Sequence, residues 1–156
     1  FNQESLFSAT LEENISLGRD GVSKEDVKKA VEISGLNDMI LNLTEGLHTV
    51  MDPVNRNLPL SITKRIFLAR SLVHQPSLLL LDDLADLANL ADYQRIIEYV
   101  TSNDRTWTLV LVSNDPRVAE KCERTIVLEK GRVIAEGSYA SLIERDDDIK
   151  SIFSKD

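Results

Sequence analysis

Hydrophobic and polar positions mark one strand near the middle of the chain. Four consecutive leucines, Leu78 to Leu81, follow a turn at Pro76 and precede two carboxylates. A short apolar run bounded by a turn is typical of a strand that is buried on both faces of a sheet. We therefore predict a strand over 77–82, with Asp82 and Asp83 at its carboxyl end.

After this strand, helical and strand patterns alternate. The predicted elements are a helix at about 90–103, a strand over 107–113, a helix at about 115–121, and strands over 125–129 and 132–136. Lys130-Gly131 is typical of a tight hairpin between the last two strands, and a short helix follows from Ser138. Strands that alternate with helices predict a mainly parallel sheet covered by helices.

The N-terminal half of the chain has helical periodicity. Ser23 and Asp26 offer a cap for one helix, and Gly35 is placed to end it. A second, short helix is predicted to reach a turn at Gly46. A third begins near Ser61 and carries its apolar residues on one stripe, namely Ile62, Ile66, Ala69 and Val73.

Composition narrows the class of protein. The apolar content of 42% and charged content of 28% are ordinary for a globular domain. The net charge of −8 argues against nucleic acid as the main partner, because neutralising phosphates needs clustered Lys and Arg. The longest apolar run is too short to span a bilayer, so membrane association would require another segment or subunit. Cys122 is the only cysteine, which suits a reducing compartment.

The adjacent carboxylates Asp82 and Asp83 are the first candidates for chemistry. Burying such a pair is costly without a cation or hydrogen-bond partners. In nucleotide-hydrolysing α/β proteins, one acid at this place holds Mg²⁺ and its neighbour orients the attacking water. The pair therefore indicates a phosphate-transfer site, and a strand that simply runs into an acidic turn is the alternative.

The segment RIFLARSLVHQPSLLLLDD, from Arg65 to Asp83, resembles the ATP-binding domains of ABC transporters. In that family a helix ending in LARAL runs through a proline into a strand ending in Asp-Glu. Four further segments resemble exporter-type members in the family's order: FNQESLFSATLEENISLG, GLNDMILNLTEGLHTVMD, TLVLVSND and CERTIVLEKGRVIAEGSYASLI. The resemblance covers nearly the whole chain.

This resemblance implies an α/β fold, a partial P-loop NTPase (RecA-like) core with a parallel sheet and a helical subdomain. The helical subdomain would occupy about 8–73, and the C-terminal half of the α/β core about 74–156. None of the six glycines belongs to a G-x-x-x-x-G-K-[ST] loop. Because the family has that loop upstream of its Gln loop, we expect this chain to be the domain's C-terminal portion, beginning at the Gln loop.

The resemblance also implies ATP and Mg²⁺ as cofactors. Asp82 would order the metal, and Asp83 replaces the glutamate that orients or deprotonates the attacking water. Asp83 is one methylene shorter, and a positioning error of about 1 Å can cost about a hundredfold in rate. Gln3 fits the residue that bridges metal and nucleotide, with an ordinary loop glutamine as the alternative. Only two residues separate Gln3 from Leu6, where exporters usually have three.

Other positions depart from the family. Its L-S-G-G-Q signature loop presents a serine hydroxyl and glycine N–H groups to the partner's γ-phosphate. Here Pro59 removes the hydroxyl and an N–H, and Leu60 blocks close approach of the backbone. Ser61 is interpreted as an ordinary helix N-cap. Asn114 replaces the histidine that contacts γ-phosphate, and its amide cannot carry a positive charge.

Two more family segments are altered. The S-A-L-D loop reads Asp86, Leu87, Ala88, Asn89, and the G-E-x-G segment reads Asp52, Pro53, Val54, Asn55. Packing segments therefore stay similar to the family while catalytic ones depart. This pattern predicts that the chain keeps the fold of the family but has lost residues that the family uses for catalysis.

The resemblance implies an ATP-binding domain that couples ATP binding and hydrolysis to transport, with this copy catalytically degenerate and inactive on its own. Its expected partners are a transmembrane domain and a second nucleotide-binding domain, at the cytoplasmic face of a membrane. One alternative is a regulatory or scaffolding half that pairs with an active domain. Another is a soluble, non-transport ABC-type protein, which the exporter-like LFSATLEENI segment disfavours.

Overall fold

The computed structural model describes residues 6–52, 58–82, 84, 87 and 91–153. The helices in these ranges are α1 Leu11–Ser16, α2 Lys24–Ile33, α3 Asn37–Leu41, α4 Leu60–Leu72, α5 Tyr93–Val100, α6 Pro116–Ala119, α7 Tyr139–Arg145 and α8 Asp147–Ile152, with a 3-10 turn at Gly46–His48. The strands are β1 Ala9–Thr10, β2 Val50–Met51, β3 Leu78–Asp82, β4 Thr108–Val112, β5 Thr125–Glu129 and β6 Arg132–Gly137. Within the described ranges, none of the helices has the length and apolarity needed to cross a bilayer.

The N-terminal helices pack around one apolar core, which we call the first core. Its fully buried members include Leu11, Ile15, Leu36 and Ile66. The predicted cap of α2 is confirmed, because the Ser23 hydroxyl accepts from the Asp26 N–H and the Asp26 carboxylate accepts from the Ser23 N–H.

Helix α4 packs on two sides at once. Ile66 and Ala69 belong to the first core, whereas Leu68 and Leu72 belong to a second core formed with β3 and α5. The single apolar stripe expected from the sequence was therefore too narrow, because it left out Leu68 and Leu72. Buried side chains surround most of α4 because it lies between the N-terminal helices and the sheet.

The strand predicted over 77–82 is present as β3, and it pairs in parallel with β4. The crossover helix α5 covers one face, where Leu79 and Leu81 are buried. The expectation of burial on both faces is wrong, because Leu78 is 50% and Leu80 64% exposed. A strand's side chains alternate between two faces, and in the described part of the chain helices cover only one of them.

The same open face continues on β4, where Val110 is 52% and Val112 61% exposed. We call Leu78, Leu80, Val110 and Val112 the open sheet face. The predicted helix-covered, mainly parallel sheet is thus confirmed only in part. One parallel pair is present in the described ranges, and the other strand pairs are antiparallel.

The C-terminal hairpin forms as predicted. Strands β5 and β6 pair through a turn in which Lys130 and Gly131 have φ of 48° and 76°, as a type I′ turn requires. Helix α7 starts after Ser138, whose hydroxyl accepts from the Ser141 N–H. Helix α8 was not predicted, and Asp146 caps it.

Because the open sheet face is apolar and edge strands pair readily with other chains, we expect the 156-residue chain to self-associate. Light scattering should show dimers or larger species whose mass rises with concentration. Substituting Leu80 by lysine should reduce this association, whereas the same change at exposed Leu41 should not. A monomer at high concentration would contradict this expectation.

Candidate functional site

Two polar residues that the sequence analysis singled out, Asp82 and Asn114, lie at one edge of the parallel sheet. Asp82 ends β3 and is in register with Val112, which ends β4. Asn114 follows two residues later, so both polar side chains belong to the carboxyl edge of the strands. Both are exposed. At the carboxyl ends of parallel strands, loops of α/β proteins commonly bind ligands.

Hydrogen bonds of the residues on either side of Asn114 hold the loop that carries it. The Asp115 N–H donates to the Ser113 hydroxyl at 3.0 Å, and the Asp115 carboxylate accepts from the Arg117 N–H at 2.9 Å. Asp115 is therefore the N-cap of α6, and Pro116 occupies the first helical turn. Asn114 is exposed, while the residues next to it in the loop are held by hydrogen bonds.

Asp115 also joins two side chains in a group that we call the Asp115 cluster: Asp115, Tyr93 and Arg117. The Tyr93 hydroxyl donates to Asp115 Oδ2 at 2.7 Å. Arg117 Nη2 donates to the same oxygen at 2.6 Å, and the guanidinium lies 4.8 Å from the centre of the Tyr93 ring. The Arg117 guanidinium, followed by the Tyr93 hydroxyl, lowers the pKa of the Asp115 carboxyl. Asp115 is thus ionised, and its charge is paired.

At the N-terminus of α4 the structure corrects one interpretation. The N-cap is Pro59, with φ −53° and ψ 142°, and no side chain caps the helix. Ser61 lies inside the first turn, so its assignment as N-cap was wrong. Proline fits because its fixed φ suits the start of a helix and its missing N–H has no helical partner there. Leu60, 60% exposed, is the first helical residue.

Helix α4 is tied to α5 by three charged residues that we call the α5 clamp: Arg65, Asp92 and Arg95. Asp92 Oδ2 lies 3.6 Å from Arg65 Nη2, and Asp92 Oδ1 lies 2.9 Å from Arg95 Nη2. The two arginines also donate to carbonyls at the end of α2, Arg65 to Gly35 and Arg95 to Glu32. The clamp therefore joins α2, α4 and the start of α5 beside the Asp115 cluster.

The sequence and the fold of this chain are similar to those of known proteins. Over 148 residues, or 95% of the chain, it is 28% identical to an uncharacterized ABC transporter ATP-binding protein, YfiB, of Bacillus subtilis. Over 94% of the chain it is 27% identical to the leukotoxin translocation ATP-binding protein LktB of Mannheimia glucosida. A bacterial Atm1-family ABC exporter structure with ATP bound superposes with a TM-score of 0.84 over 96% of the chain, at 26% identity. The chain is a homologue of ABC exporter ATP-binding proteins.

The match to these ABC exporter proteins covers only part of their length. The chain spans 26% of YfiB and 21% of LktB, and 26% of the exporter chain of known structure. No protein-family model matches it. The resemblance of the sequence to ABC exporter ATP-binding domains is therefore confirmed by relatives and by fold, while the complete P-loop core is not.

Several residues of the predicted ABC-type site lie outside the described residues. These are Gln3, Asp83, Pro53, Val54, Asn55, Asp86, Ala88 and Asn89. Among the described residues no three His, Cys, Asp or Glu side chains form a metal-binding group. Asp82 offers an exposed carboxylate at the end of β3, which suits a Mg²⁺ ion that keeps most of its waters.

The sequence did not indicate the Asp115 cluster. The pair Asp115-Pro116 carries an N-cap signal, but nothing in the pattern links it to Tyr93, which is 22 residues away. Tyr93 is 2% exposed and was hidden among the apolar positions of α5. Only the folded structure shows that the Tyr93 hydroxyl meets Asp115.

Proposed function

We propose that this chain is the C-terminal part of the ATP-binding domain of an ABC exporter-type transporter. The observation that carries the proposal is the edge of the sheet formed by β3 and β4, where Asp82 and the Asn114 loop follow strands in register. The similarity to exporter ATP-binding proteins over most of the chain supports it.

In the proposed site, Asp82 would hold Mg²⁺ through water, and the metal would neutralise part of the charge on the phosphates of ATP. Asp83 would orient the attacking water, and Gln3 would contact the metal and the nucleotide. Asn114 donates its amide N–H to a γ-phosphate oxygen. Pro59, Leu60 and Ser61 face the nucleotide of a second domain, where they replace the signature loop.

Hydrolysis by this copy is expected to be weak or absent. A neutral amide at Asn114 stabilises less of the charge that develops on the transferring phosphoryl group than a cation would. At the start of α4, the nitrogen of Pro59 cannot donate, and the side chain of Leu60 lies on the exposed surface where close approach of phosphate is needed. ATP binding, rather than its turnover, is the role these residues support.

We further propose two subregions, a helical one at about 8–73 and part of the α/β core at about 74–156. The partners are a transmembrane domain and a second nucleotide-binding domain, which place the protein at the cytoplasmic face of a membrane. The exposed start of α4 and the exposed carboxyl edge of β3 and β4 are both available to such a partner domain.

The test measures Mg·ATP binding and phosphate release by the full gene product. We expect ATP binding that weakens when Asp82 is replaced by asparagine, and phosphate release close to background. Asp147→Asn, an exposed acid on α8, is the matched control. Folded protein that binds no ATP would instead support the regulatory half that needs no nucleotide. Transmembrane helices in the same reading frame would exclude the non-transport alternative.

For the 156 residues alone, we expect no detectable ATP binding at millimolar nucleotide. The 156 residues contain no G-x-x-x-x-G-K-[ST] motif, and the loop with that motif supplies much of the phosphate binding in P-loop proteins. Titration calorimetry checks this. Micromolar affinity would place the nucleotide site elsewhere in the chain.

A further inference from the structure

The Asp115 cluster places a carboxylate next to the residue proposed to meet phosphate. Asp115 follows Asn114 directly, and the carboxyl edge of the sheet already carries Asp82. A second unpaired negative charge near a phosphate site would repel the ligand, since like charges several ångströms apart interact appreciably in a partly shielded site. The environment of Asp115 therefore matters for any phosphate-bearing ligand.

The ion pair with Arg117 and the orientation of the Asp115 carboxylate both reduce this repulsion. Arg117 contacts both oxygens of Asp115, with Nε at 2.9 Å from Oδ1 and 3.0 Å from Oδ2, and Nη2 at 2.6 Å from Oδ2. The Arg117 and Tyr93 donors point the carboxylate toward α6 and α5. The side chain of Asp115 is 15% exposed, so the pair is only partly screened by solvent.

We propose that Arg117 acts as a positioning and charge-neutralising residue for the ATP site, because it cancels the Asp115 charge beside Asn114. The inference rests on the proposed function, since it needs a phosphate at Asn114. Arg117 does not itself contact the nucleotide. Its effect is to keep the loop after β4 electrically neutral, so that the Asn114 amide can approach an anion.

The test uses Arg117→Gln in the full gene product, with Mg·ATP affinity as the measurement. Glutamine keeps hydrogen-bonding capacity and removes the charge. At about 0.01 M salt, where the Debye length is about 30 Å, we expect ATP affinity to fall about fivefold. At about 0.15 M salt, where that length is about 8 Å, the loss should shrink.

Charge rescue separates this role from a purely structural one. The double variant Asp115→Asn with Arg117→Gln has no charge to neutralise, and asparagine can still cap α6, so its affinity should return close to that of the wild type. The control is Arg124→Gln, which removes an exposed arginine paired with Glu136 at 2.7 Å on the C-terminal hairpin. We expect no change in affinity for this control.

Each result decides between the two proposals. If the wild-type protein binds no ATP, the proposed function fails. If the wild type binds and Arg117→Gln binds equally well, only the inference about Arg117 fails. It fails also if the double variant stays as weak as Arg117→Gln, or if the loss does not depend on salt, because both results would indicate distorted structure. A melting temperature for each variant confirms that the protein is folded.

Discussion

Replacing Gly35 by alanine is expected to lower the free energy of unfolding by about 2–4 kcal/mol. Gly35 has φ +69°, and a Cβ there would lie 2.5 Å from Asp92 Oδ2. The Asp92 side chain would have to move away from Arg65 and Arg95. Arg65 is 9% exposed, so losing its carboxylate partner would leave a nearly buried charge with the neutral Gly35 carbonyl in place of an anion.

Gly18 provides the matched control for this substitution. It has φ +61°, and a Cβ there would meet nothing within 4 Å. Gly18→Ala should therefore cost only the backbone strain of a left-handed conformation, about 1 kcal/mol. Urea unfolding of both variants measures the difference. Equal losses would mean that backbone strain, rather than the α5 clamp, sets the cost at Gly35.

The second large effect concerns hydrolysis by the full gene product. We expect Asp83→Glu alone to leave phosphate release near background. Glutamate would restore the length of the side chain proposed to orient the attacking water, but Asn114 would still supply no positive charge. Each missing donor to a developing charge can cost roughly 10²–10³ in rate. Groups that act on one reacting centre are also strongly non-additive, so repairing one returns little.

Recovery should need Asp83→Glu with Asn114→His, and a second domain that carries an intact signature loop. Phosphate release by both single variants and the double variant, each reconstituted with such a partner, provides the comparison. Asp147→Glu, at an exposed position of α8, serves as a neutral control. If Asp83→Glu alone reached the rate of the double variant, Asn114 would not be a defect.

Local signals in the sequence predicted many elements well. The Ser23 and Asp26 cap, the strand predicted over 77–82 and the Lys130-Gly131 turn each depend on a few neighbouring residues, and all three are present, with the strand at Leu78–Asp82. Helix α1 was missed although Thr10 and Glu13 form a capping box. A helix of six residues is too short for apolar periodicity to show.

Features that depend on distant contacts could not be predicted in this way. The sequence Leu78 to Leu81 is equally apolar at each position, so it cannot show that only Leu79 and Leu81 are covered. The placement of Asp82 and Asn114 at one edge depends on the parallel pairing of β3 with β4, which the structure shows. The Asp115 cluster and the α5 clamp join residues from separate elements, and only the folded chain brings them together.

The position of α4 between two cores restricts how this segment can change in length. Inserting one residue rotates everything beyond it by about 100° around the helix axis. An insertion before Ile66 would turn Ile66 and Ala69 away from the first core, and in the same step Leu68 and Leu72 away from the second. Evolution can therefore alter α4 by substitution at exposed positions such as Leu60 and Ser71, while insertions and deletions are confined to the loops on either side.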